Sequence, residues 1–114
     1  MSEWVPQAGD IVWLQFSPQA GHEQAGPSSF KQGPALVLSP AAYNGRSGLM
    51  LCCPLTTRIK GYPFEVIVPG DPPSVVLSDQ LRSLDWRARR AEPKGRVPAE
   101  VLRAVRVRAA GLIG

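Results

Sequence analysis

Histidine is almost absent from the 114 residues: His22 stands alone, and only two cysteines, Cys52 and Cys53, occur. One histidine excludes any mechanism that needs two of them as separate acid and base. Adjacent cysteines in a strand point to opposite faces, so a disulfide between them would strain the backbone. They are expected to be ordinary thiols of a reducing compartment, one of them buried. No spaced Cys/His set offers a zinc site, and the carboxylates are scattered without a repeated ligand spacing, so neither metal nor cofactor is expected. No apolar run approaches a membrane span, and the opening Met-Ser-Glu-Trp lacks a basic region followed by an apolar stretch. A cytoplasmic protein with no membrane partner is the expectation.

What is present describes one small domain over 1–114. Hydrophobic residues make up 44% and charged residues 19% of the chain, enough for a core and too apolar for disorder. A chain this short leaves much of its surface exposed, so burial in a homodimer would supplement its core. Eleven glycines and twelve prolines are well spread, which marks many short elements rather than long helices.

Gly9-Asp10 is a turn signal before Ile11-Val12-Trp13-Leu14-Gln15-Phe16, a β-rich run closed by Ser17-Pro18. Residues 17–33 carry His22, Glu23 and Gln24 with little to bury and read as a long loop. Ala35 to Ser39 is the next strand, Asn44-Gly45 opens a turn, and Leu49 to Leu55 reads as a mostly buried strand. Thr56 to Gly61 is a polar connection, Phe64 to Val68 and Val75 to Leu77 are strands, and Asp79 to Arg90 is polar and mixed. From Pro98 onward Leu102, Val105, Ala109 and Leu112 recur at helical spacing, giving an amphipathic C-terminal helix over about 98–110, stopped at Gly111. The predicted fold is mainly β with helical additions: a small barrel of five to seven strands.

Bases outnumber acids by thirteen to nine, a net charge of +4, and most lie after Arg46. A basic half fits a polyanionic partner, although a solvated surface would have the same charge. Individual residues stay ambiguous. A loop histidine is most often a solvated bystander, with a proton-transfer group as the functional alternative. Thr56-Thr57-Arg58-Ile59-Lys60-Gly61 puts hydroxyls and cations at a strand exit, where they bind phosphate or simply form a turn. Trp13, Phe16, Tyr62, Phe64 and Trp86 are either core or stacking platforms for unpaired bases. Trp13 and Phe16 face opposite sides of one strand, so at least one is exposed or at an interface.

In order along the chain, the pieces are more specific. Gly9-Asp10-Ile11-Val12-Trp13, Gly21-His22-Glu23-Gln24-Ala25-Gly26, Pro34-Ala35-Leu36-Val37-Leu38-Ser39-Pro40 and Tyr43-Asn44 closely resemble the MazF/PemK (Kid) toxins. So do Pro54-Leu55-Thr56-Thr57, Lys60-Gly61-Tyr62-Pro63-Phe64-Glu65-Val66, Asp79-Gln80 and Trp86-Arg87-Ala88-Arg89. The match runs almost end to end. It implies a homodimer of SH3-like barrels that cuts single-stranded RNA at short sequences. Such toxins work without metal, leave a 2′,3′-cyclic phosphate and a 5′-hydroxyl, and are silenced by a MazE-like antitoxin with an acidic disordered tail.

Carried over by position, the resemblance makes Thr56 the hydroxyl at the scissile phosphate, with His22 as proton carrier. Lys60, Arg82, Arg87 and Arg89 would meet RNA, with Thr57 beside them. Glu23 and Gln24 would shape the flanking loop and Asp79 would support it. Trp13 and Phe16 would belong to the antitoxin groove or the dimer. The chain departs from the family at Gly33, where an arginine normally precedes the strand and acts on the phosphate. Three readings follow: Lys31 reaches in from a longer loop, His22 or another arginine takes over, or this copy binds antitoxin and RNA without efficient cleavage.

Overall fold

The computed structural model describes residues 4–15 and 32–114. Seven strands and two helices follow one another: β1 (Asp10–Gln15), β2 (Gln32–Val37), α1 (Ala41–Ser47), β3 (Leu49–Thr56), β4 (Glu65–Val68), β5 (Ser74–Leu77), β6 (Arg82–Asp85), β7 (Glu92–Arg96) and α2 (Ala99–Ile113). The strands form one antiparallel sheet in the order β4-β5-β3-β2-β1-β7, with β6 pairing β3 outside this path. This is the mainly β fold with a C-terminal helix expected from the sequence. No described helix is long and apolar enough to cross a membrane.

β3 is the hinge of the architecture. One of its edges pairs with β2; the other pairs first with β6 at Leu49 to Cys52 and then with β5 at Leu55 and Thr56. Pro54 occupies the gap between those two partners. Leu51 exchanges bonds with Leu38 N–H and Ser39 Oγ on the β2 side, so by alternation the nitrogen of Pro54 faces the other edge. A residue without an N–H therefore stands where no ladder bond is required.

The sheet buries apolar side chains on both faces. Leu36, Cys53, Leu55, Val66, Val68 and Val76 pack against Val101 and Val105 of α2. On the opposite face Val12, Leu14, Val37, Met50, Cys52, Leu84 and Trp86 form a second core, closed by Trp4 and Val5. Cys52 and Cys53 thus enter different cores as thiols outside any disulfide, and both are fully buried, where only one was expected. A strand sandwiched between two cores leaves neither face wet.

Three local readings change. Asn44-Gly45 lies inside α1 rather than opening a turn; the helix ends four residues on at Gly48, whose φ of 74° glycine tolerates. Asn44 is held there by tertiary bonds: its Nδ2 donates to Pro6 O and Ser39 O, and Ser39 Oγ donates to its Oδ1. α2 continues through Gly111 to Ile113, and its buried stripe is Val101, Val105 and Ala109. Leu102 is only part-buried, and Leu112 is 62% exposed. The polar segment after Asp79 contains β6, and β7 was not foreseen. Phe16 and almost all of the 17–33 segment, including His22, Glu23, Gln24 and Lys31, lie outside the described residues.

Candidate functional site

β3 delivers Thr56 to the mouth of a cleft of about 280 Å³, also lined by Arg58, Lys60, Tyr62, Phe64, Glu65, Leu77 and Gln80. The connection after Thr56 is a built structure. Arg58 N–H donates to Thr56 Oγ1 at 3.1 Å, which ties the hydroxyl oxygen down and leaves its proton free to be donated. The carboxylate of Glu65 accepts from Lys60 N–H at 3.2 Å and from Gly61 N–H at 2.9 Å. Gly61 takes a φ of 82° there, a left-handed turn that suits glycine. The two rings of Tyr62 and Phe64 stack with centroids 5.3 Å apart. From α2, Arg108 Nε donates to Pro63 O at 3.0 Å. Strand, loop and terminal helix are therefore joined around one cleft.

Its electrostatics are positive. Among the described residues two cationic side chains line it, Arg58 and Lys60, while the one acid, Glu65, is occupied by backbone donors. An arrangement of hydroxyl, cations and aromatic rings suits a phosphate next to an unpaired base. Among the described residues no three His, Cys, Asp or Glu side chains gather to hold a metal.

A second groove of about 510 Å³ meets the first at Thr56 and is lined by Ile11, Trp13, Gly33, Pro34, Leu55 and Thr57 among others. Its character is apolar. Trp13 is 39% exposed, with Lys94 Nζ 5.9 Å from its ring. β2 and β3 pair through Ala35–Pro54, Leu36–Cys53 and Val37–Cys52; that register, continued by two residues, sets Gly33 across from Thr56. Position 33 is thus beside the threonine and carries no side chain.

The remaining expected residues are dispersed. Arg82 pairs with Cys52 in mid-sheet. Asp79 is exposed, and its charge adds to the effect of burial in pushing the Cys53 thiol up to about 12. Arg89 is 3% exposed and donates to Gln15 O at 2.5 Å, so it braces the end of β1 and presents little surface to a ligand. Arg87 lies over the Trp86 ring at 4.2 Å and beside Gly48. That is the beginning of β3, about 20 Å from Thr56 at the strand rise, so Arg87 is not in the cleft. Thr56 and Lys60 come together there, with Thr57 on the neighbouring groove. Arg58, Gln80 and Glu65 join them without having been singled out. The Thr56 turn, which bonds the N–H two residues on, could have placed the backbone of position 58 but not its guanidinium, and nothing local marked Gln80.

Residues 7–112 match the family described as PemK-like, MazF-like toxin of type II toxin-antitoxin system. The chain is 46% identical to the endoribonuclease toxin MazF of Escherichia coli K12 over 115 aligned residues, covering 100% of this chain and 99% of the relative. A crystal structure of MazF from Deinococcus radiodurans superposes with a TM-score of 0.84 at 57% identity, covering 98% of this chain and 99% of that one. A crystal structure of MazE-MazF from the same organism gives 0.81 at 50% identity, covering 98% of both chains. With a family match spanning nearly its whole length, the chain belongs to the PemK-like, MazF-like toxins of type II toxin-antitoxin systems.

Proposed function

We propose that the chain is a sequence-specific endoribonuclease toxin that cuts single-stranded RNA without a metal, works as a homodimer and is held inactive by a MazE-like antitoxin. The observation that carries this reading is Thr56: its hydroxyl stands at the mouth of a cleft with Arg58 and Lys60 and is oriented by the Arg58 N–H. In the reaction the substrate 2′-oxygen loses its proton and bonds to phosphorus, while the P–O5′ bond breaks and the 5′-oxygen takes up a proton. The products are a 2′,3′-cyclic phosphate and a 5′-hydroxyl, and no water is consumed. His22 is assigned the role of proton carrier. Thr56 donates to a non-bridging oxygen, and Lys60 neutralises the backbone charge.

The positive cleft and the apolar groove holding Trp13 form one continuous surface. An acidic, partly apolar antitoxin tail fits both halves and would exclude RNA. The E. coli relative is named an endoribonuclease toxin and the D. radiodurans relative was solved with MazE, which supports both parts of the reading. The view of an impaired copy that only binds is not adopted, because cations and hydroxyl stand in one cleft despite Gly33.

Replacing Thr56 with Ala is expected to lower RNA cleavage by about 100-fold or more while thermal melting stays near that of the parent. Full cleavage by that variant would remove Thr56 from the mechanism.

A further inference from the structure

We infer that Arg58 is the cation that grips the scissile phosphate of the RNA beside Thr56; this rests on the endoribonuclease reading and names a residue that carries it. A phosphodiester about to be cleaved gathers negative charge on its non-bridging oxygens, and a guanidinium matches that geometry with two parallel N–H donors. Position 33, which lines the same groove as Thr56, is glycine and supplies no charge.

Among the described basic residues, only Arg58 and Lys60 line the cleft. Lys60 is a point charge. Arg89 is buried against Gln15 O, and Arg87 stacks on Trp86 at the far end of β3. Arg58 is exposed, and the ion pair recorded among the described residues joins Arg96 to Asp10 and leaves Arg58 out. Its backbone is fixed all the same, because its own N–H is bonded to Thr56 Oγ1 at 3.1 Å. The side chain therefore starts two residues from the threonine, at a set position, with no described carboxylate holding its charge. Among the described residues neither the Thr56 hydroxyl proton nor the Arg58 fork has an acceptor, and the one described carboxylate lining the cleft, Glu65, is already engaged. An anion completes both. Arg58 stays protonated throughout, so it stabilises charge and moves no proton.

The test compares the parent with Arg58→Ala, Arg58→Lys and Arg58→Gln, with EDTA present. Two quantities are read: the single-turnover cleavage rate of a long unstructured RNA, and the affinity for a DNA–RNA chimera of the same sequence lacking 2′-hydroxyls at the cut site. Arg58→Ala and Arg58→Gln are expected to cut about 100-fold or more slowly, with Arg58→Lys between them and the parent. Both uncharged variants should also bind the chimera less tightly, with the slope of log affinity against log salt reduced by about one. Melting temperatures should stay unchanged, since the side chain is exposed. Cleavage and affinity within about twofold of the parent in Arg58→Ala and Arg58→Gln would overturn the assignment and leave the nuclease standing. A parent that does not cut, with affinity still falling on Arg58→Ala, would uphold the phosphate contact and remove the nuclease.

Discussion

Two residues near the cleft act through opposite physics. Glu65 spends its charge on the N–H groups of Lys60 and Gly61, so a surface acid beside two cations becomes a clamp for their loop instead of a competitor for phosphate. Cys53 carries no charge at all. Burial, aided by the Asp79 carboxylate, raises its thiol from 9.0 to about 12. Between those values the unfolded chain releases the proton and the folded chain keeps it. The resulting stabilisation is complete below about pH 9 and is lost as pH rises towards 12. At pH 8.5 the thiol should therefore resist iodoacetamide in the folded protein and react once urea unfolds it. Equal alkylation rates in the two states would contradict its burial.

The elements legible in the sequence were those whose partners are local or whose side chains report burial. β1, β3, β4 and β5 are rich in Val, Ile and Leu, and their existence followed from that. β7 reads Glu-Pro-Lys-Gly-Arg, with every residue exposed; it is a strand only because β1 offers it a free edge. There a register shift places Gly95 opposite Ile11 and Pro93 opposite Val12, leaving Lys94 unpaired, and such breaks suit an edge strand. Asn44-Gly45 has the local signature of a turn, and the bonds that make it helix come from Pro6, Ser39 and Trp86, none of which a local pattern contains. α2 was expected from its periodicity, though it runs past Gly111 to Ile113, and its link to the cleft was not legible. Its last turns reach the cleft loop through Arg108 and Pro63 O, at 3.0 Å. Arg108→Ala is expected to cost only about 0.5–1 kcal/mol of stability for that exposed bond. RNA cleavage should nevertheless fall several-fold, because the loop bearing Arg58 and Lys60 loses its tether. An unaltered cleavage rate would limit α2 to covering the core.

At the scale of the whole molecule, the site is a meeting of distant segments. Thr56 and Lys60 were legible because one short stretch carries both. Gln80 and Gly33 reach Thr56 only through strand pairing, which no spacing in the chain reveals. Arg87 and Arg89 belong to one motif, yet one stacks near the Gly48 turn and the other braces β1. A motif fixes family membership more securely than it fixes which of its side chains face a ligand. The net charge of +4 is a weak signal by itself; two of the cations, Arg58 and Lys60, line a cleft with a threonine and two stacked rings, and that grouping is the stronger sign of a surface for RNA.

The measurement that tests the central claim most directly is cleavage of a long unstructured RNA by the purified protein in EDTA, with cut positions mapped by primer extension and the new ends characterised. Discrete cuts at a recurring short sequence, bearing 5′-hydroxyl and cyclic phosphate ends, are the predicted result. Intact RNA after incubation with folded, dimeric protein, or cuts that appear only when divalent metal is restored, would contradict the account.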